Sequence, residues 1–129
     1  MILVDTSVWI ELLNRKQKSV LSEKYLLEFC TCGPVIQEVL QGLKEDREAD
    51  LFREFFSAIP IINDPLPRDT FVFASEIYRN GRRRGITVRS SIDCLIAAIA
   101  IENRATVWHR DRDFDAIAIY TELRATQRI

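Results

Sequence analysis

Apolar residues recur along this chain with two periods, and their alternation predicts short buried strands feeding into helices. Ile2-Leu3-Val4 is a continuous apolar run closed by an acid, which suits a strand covered on both faces of a parallel sheet. Asp5-Thr6-Ser7 then opens a helix with Val8, Trp9, Ile10, Leu12 and Leu13 as its buried stripe, and Asn14-Arg15-Lys16 leads out of it. A second helix is expected from Ser22 to Phe29, with an extended segment at Cys30-Thr31-Cys32. Pro34 fits the first turn of a third helix, where its missing N–H has no partner to lose, and apolar residues at 35, 36, 39, 40 and 43 mark that helix's inner face.

Farther along, a helix is expected over Asp46 to Ala58 and a short strand at Pro60-Ile61-Ile62. The breaker cluster Asn63-Asp64-Pro65-Leu66-Pro67 has only a loop's length, and a helix from Arg68 to Asn80 follows it, ending at Gly81. Ser90-Ser91 caps a helix whose body, Cys94 to Ile101, is apolar nearly all round and must be buried. Thr106-Val107-Trp108 is a further strand, and Phe114 to Ala118 opens a last helical turn. Strands alternating with helices imply an α/β fold with a parallel sheet.

The 129 residues, 47% of them apolar with four Gly and four Pro, have room for one domain spanning residues 1–129 with a real core. No apolar run approaches the roughly 18 residues that span a bilayer, and the N-terminus lacks the basic region and cleavage site of a signal peptide, so a cytoplasmic protein is expected. Cys30, Cys32 and Cys94 are an odd count without a second pair or a histidine cluster; they read as reduced core residues.

Five acids change the picture. Asp5, Glu38, Asp93, Asp111 and Asp113 each fall where a strand hands over to a helix or where a helix begins, so a parallel α/β fold can gather them at one sheet edge. Gathered anions repel, and a divalent cation among them would offset the repulsion. Taken singly, Asp5 and Asp113 also suit helix N-caps, Asp93 a first-turn acid, and Glu38 a polar face shared with Gln37 and Gln41. Asp111, next to the strand end and flanked by arginines, has no such plain role.

His109 is the only histidine, which excludes a multi-histidine zinc site, and no serine elbow supports a hydrolase triad. Net charge is −1, from 18 Lys and Arg against 19 Asp and Glu, so a surface without the five acids is mildly basic. Arg79, Arg82, Arg83, Arg84 and Arg89 crowd one stretch, and Arg110 and Arg112 interleave with the last two acids. Arginines beside a metal centre would hold the phosphates of a polyanion, although such a run is more often a solvated surface.

The segments Val4-Asp5-Thr6-Ser7, Val35 to Gly42 around Glu38, Ser91 to Ala98 around Asp93, and His109-Arg110-Asp111-Arg112-Asp113-Phe114 together resemble the PIN-domain ribonucleases, and among them the VapC toxins of toxin–antitoxin pairs. The resemblance runs in order over nearly the whole chain. It implies an α/β/α sandwich with a short central parallel sheet, a catalytic quartet of Asp5, Glu38, Asp93 and Asp111, and Asp5, Asp93, Asp111 and Asp113 as metal ligands. It further implies Mg²⁺- or Mn²⁺-dependent endonucleolytic cleavage of RNA, a homodimer, and a small VapB-like antitoxin lying over the site. Arg82, Arg83, Arg84, Arg110 and Arg112 become candidate RNA contacts. The chain departs from the family at His109, where a threonine or serine is common.

Three other readings compete. A haloacid-dehalogenase phosphatase needs a second acid two residues after the first, and Ser7 stands there. A catalytically silent PIN-like RNA- or protein-binding module would be expected to lose site acids, and all are present. DNA is a rival substrate, since a metal site acting on phosphodiesters need not choose by sugar.

Overall fold

Three buried runs and one polar edge segment build the sheet. A computed structural model describes residues 1–14 and 26–128. Strand β1 (Ile2–Val4) lies between β2 (Phe29–Cys30) and β3 (Thr106–Trp108), and β4 (Arg124–Thr126) adds to the far side of β3. All three pairings are parallel, in the order β2-β1-β3-β4. Ile2 pairs with Phe29 on one side and Thr106 on the other, which brings Val4 level with Trp108 at the same end.

The described helices are α1 (Thr6–Asn14), α2 (Gly33–Gly42), α3 (Asp46–Ala58), α4 (Arg68–Arg83), α5 (Ser91–Glu102) and α6 (Arg112–Tyr120). They cover both faces of the sheet, giving the α/β/α sandwich, and none is long and apolar enough to cross a membrane. Trp9 anchors one layer: Phe29, Phe52, Phe55 and Phe56 meet its ring largely edge-on at 5.3 to 6.3 Å. These phenylalanines are therefore packed together, whereas Phe71 on α4 stands half exposed. In the other layer α5 is sealed, with Ile96 to Ala100 fully buried, as its all-round apolar sequence requires.

Five elements depart from the pattern-based expectation. Of the helix expected over Ser22 to Phe29, residues 22–25 lie outside the described residues; Phe29 itself is in β2, where its ring fills the space beside Trp9 and Trp108. Pro60-Ile61-Ile62 makes one bridge to Thr31 instead of a strand. Pro60 has no N–H to donate, and the chain turns away at Asn63, which has φ 52°. Strand β4 was not expected because Arg-Ala-Thr carries a single apolar residue, as an edge strand can. The last helix runs nine residues, Asp111 capping it by accepting from the Asp113 N–H at 2.9 Å.

Helix α4 does not end at Gly81. It continues to Arg83, its buried stripe being Thr70, Ala74, Ile77 and Gly81. A Cβ at position 81 would come within 2.5 Å of the Tyr120 hydroxyl and 3.1 Å of the Ile86 carbonyl oxygen, so this glycine serves close packing and not helix termination. The Tyr120 hydroxyl donates to the Ile77 carbonyl at 2.8 Å, locking α6 against α4. Gly81→Ala should therefore destabilise the fold by about 1–3 kcal/mol through overpacking, read as a lower denaturant midpoint. An unchanged midpoint would show that Tyr120 is free to yield.

Candidate metal centre at the carboxyl end of the sheet

Strand β1 ends at Val4, and the next residue begins the site. The Asp5 N–H donates to the Trp108 carbonyl at 2.9 Å, fixing it beside the end of β3, while its own carbonyl accepts from Val8 and Trp9 to start α1. Its carboxylate accepts from the Ser7 N–H at 3.1 Å and the Ser7 hydroxyl at 2.6 Å. The Ser7 oxygen in turn accepts from the Arg110 N–H at 3.0 Å. One hydroxyl thus ties the β1 exit to the β3 exit, joining helix-start geometry to orientation of the acid. Thr6 reaches the other way, donating to Glu38 Oε1 on α2 at 3.4 Å.

Asp93 occupies the first turn of α5 and is 6% exposed. Asp111 caps α6 and Asp113 lies in its first turn, accepting from the Arg89 N–H at 3.1 Å. One carboxylate oxygen from each of Asp93, Asp111 and Asp113 lies within 4.8 Å of the others. Asp93 Oδ2 is buried with no hydrogen-bond donor. An oxygen-only donor set with an orphaned buried carboxylate oxygen fits a hard divalent cation.

Electrostatics agree with that geometry. Burial, followed by the charge of Asp111, a hydrogen bond to Asp111, and the charges of Asp5 and Asp113, pushes the Asp93 carboxyl up to about 8. Glu38 is raised by burial and by the charge of Asp5, with Asp111 adding, while the Thr6 hydrogen bond opposes the shift. The expected clustering is thus present: Asp93, Asp111 and Asp113 converge, and Asp5 and Glu38 lie close enough to act on them. The cysteines are buried and free, and burial raises Cys30, Cys32 and Cys94 to about 11, 12 and 11, so none offers a thiolate at neutral pH.

The PIN domain model matches residues 2–120. The chain is 39% identical to VapC ribonuclease Mb1587 of Mycobacterium bovis and to Ribonuclease VapC11 of Mycobacterium tuberculosis, over 97% of this chain and 97% of each relative. This chain is a PIN domain of the VapC ribonuclease family. The same fold is seen in VapBC2 from Rickettsia felis bound to a DNA fragment from their promoter, with a TM-score of 0.77 and 19% identity over 98% of both chains.

Within this PIN domain the arginines divide into two groups. Arg82 and Arg83 form the last turn of α4 and Arg84 its C-cap; all three are exposed, so the tract is an ordered helix end. Arg112 is exposed at the start of α6. Arg110 is held within the chain: its Nε donates to Glu11 at 2.7 Å, its Nη1 to the carbonyls of His109 and Gln127, and its guanidinium lies over Trp108.

Two contacts at the site gave no sequence signal. The Arg89 amide serves Asp113, and His109, fully buried, accepts from the Asp111 N–H. A groove of about 470 Å³ opens beside Glu38, walled by Pro34, Gln41, Leu66, Phe71, Ile92 and Leu95.

The raised Asp93 carboxyl fixes the sign of a pH effect. The folded state binds this proton more tightly than the unfolded chain, so removing it as pH rises weighs against the fold. Metal-free protein in chelator should lose stability from the ordinary aspartate range up to about pH 8 and level off above, as read by urea midpoints. A midpoint rising across that window would contradict mutual repulsion among the acids.

Proposed function

We propose that this VapC-family chain is a metal-dependent endoribonuclease, the toxin of a VapBC-like pair, acting as a single domain in the cytoplasm. The carrying observation is the convergence of Asp93, Asp111 and Asp113 on one point, with Asp5 and Glu38 adjoining. Asp5, Asp93, Asp111 and Asp113 would hold Mg²⁺ or Mn²⁺. When bound, the ion supplies Lewis acidity and offsets charge on the scissile phosphate.

The chain's own groups do the rest. Glu38, its carboxyl raised above its ordinary value by burial and the charge of Asp5, and bordering the groove, would take a proton from the attacking water. Water oxygen adds to phosphorus, the bond from phosphorus to O3′ breaks, and O3′ takes a proton, leaving 5′-phosphate and 3′-hydroxyl ends. A route through the 2′-hydroxyl would leave a cyclic phosphate instead.

Arg82, Arg83, Arg84 and Arg112 are exposed, and in this reading they contact the RNA backbone. Arg110, committed to internal partners, would act by shaping the β3 exit. Pairing of two copies and capture by a VapB-like antitoxin belong to the same proposal, and the partly exposed Phe71 and Ile92 beside Glu38 offer apolar surface for such contacts.

Purified protein incubated with a total RNA pool in Mg²⁺, Mn²⁺ or chelator should cut only with metal, producing 5′-phosphate ends, and should spare matched DNA. Asp5→Ala or Asp93→Ala should abolish cutting while the circular-dichroism spectrum stays native; full activity in either variant would refute the site. Replacing Arg82, Arg83 and Arg84 by alanine should weaken RNA binding and flatten its salt dependence, by about 0.7 in log–log slope for each lost phosphate contact. An unchanged slope would remove this helix end from the RNA path.

A further inference from the structure

His109 is fully buried, yet it is not a simple core residue. Its backbone N–H donates to the Thr126 carbonyl at 3.0 Å, anchoring it to β4, and its ring packs 5.3 Å from that of Phe114. Nδ1 accepts from the Asp111 N–H at 3.0 Å. Because Nδ1 is the acceptor, the proton of the neutral ring sits on Nε2. Nε2 lies 3.1 Å from Asp115 Oδ1, although off the line of a well-formed hydrogen bond. The other Asp115 oxygen accepts from Gln127 Nε2 at 2.9 Å. Gln127 thus holds Asp115 by one oxygen with the other facing the imidazole, although its side chain is 50% exposed.

We propose that His109 and Asp115 form a positioning pair that sets the Asp111 carboxylate for metal binding through its backbone amide. Asp111 must cap α6 and at the same time present an oxygen to the point shared with Asp93 and Asp113. Its amide orientation decides whether both are satisfied. The buried imidazole supplies that amide's acceptor in a place sealed from water, and Asp115 selects the ring tautomer that leaves Nδ1 free to accept. The neighbouring Phe114 and Thr126 contacts fix where the ring can sit. The pair rests on the reading of Asp111 as a metal ligand.

The test compares His109→Asn with His109→Gln. The Asn amide oxygen reaches the Nδ1 position, whereas Gln reaches the Nε2 position, and both give up the same ring packing on Phe114. Mn²⁺ affinity, followed by electron paramagnetic resonance, should stay within about threefold of wild type for Asn and fall at least tenfold for Gln. In metal-free protein, the ¹⁵N-resolved Asp111 amide proton should keep its hydrogen-bonded shift in Asn and lose it in Gln. Asp115→Ala, a half-exposed change that spares the core, should weaken Mn²⁺ binding by several-fold. Equal affinities and shifts in the Asn and Gln variants would overturn the pair, and so would wild-type affinity in Asp115→Ala. Asp111→Ala separates the two levels: lost Mn²⁺ binding there upholds the ligand reading whatever becomes of His109, while retained binding removes that reading and the pair with it.

Discussion

Like charges held together with no counter-cation paired to them among the described residues are the constraint around which this molecule is arranged. Asp93, Asp111 and Asp113 converge within 4.8 Å, with Asp5 and Glu38 adding to the field. Two unit charges at such a distance repel by several kcal/mol at the effective dielectric near a protein surface, of order 20. Backbone amides soften this: Ser7 serves Asp5, Arg89 and Asp113 lend theirs to Asp113 and Asp111, and the Ser7 hydroxyl adds a charge-assisted bond. Asp93 receives no such donor at Oδ2, and burial together with the charge of Asp111 pushes its carboxyl up. Strain of this kind concentrates where a fold serves chemistry more than stability.

The scaffold resists that repulsion by stiffness on all sides. The parallel register puts the exits of β1 and β3 side by side, so Asp5 and the His109-to-Asp113 turn meet without a long loop. Helix α5, sealed among neighbours, cannot retreat to carry Asp93 away. Tyr120 packs against Gly81 and donates to the Ile77 carbonyl, clamping α6 to α4 at a separation that a Cβ at 81 would press on, which steadies the helix that Asp111 caps. Packing far from the acids thus bears on how closely they are held.

Much of this was legible in the amino-acid sequence, and the rest failed for identifiable reasons. β1 and β3 announce themselves because buried parallel strands are continuous apolar runs, and α5 because no polar face interrupts it. The acids stood out because each follows a strand or opens a helix, a placement that a parallel fold converts into proximity. β4 gave no signal, since an edge strand needs backbone partners more than apolar side chains. Gly81 read as a terminator because local propensity cannot see Tyr120 arriving from α6. The cap of α6 is Asp111 and not Asp113, for which capping stood as the plain alternative, and a lone histidine gave no hint that its acceptor nitrogen faces a backbone amide two residues on.

The central relation, that the acids destabilise one another until a cation joins them, is tested most directly by thermal melting of wild type and Asp93→Asn at pH 8.5, in chelator and in Mn²⁺. In chelator the variant should melt above wild type because one repelling charge is gone; in Mn²⁺ wild type should rise by several degrees while the variant barely moves. A variant that melts lower in chelator, together with a wild type indifferent to Mn²⁺, would show that the carboxylates are a settled part of the fold and not a site awaiting a cation.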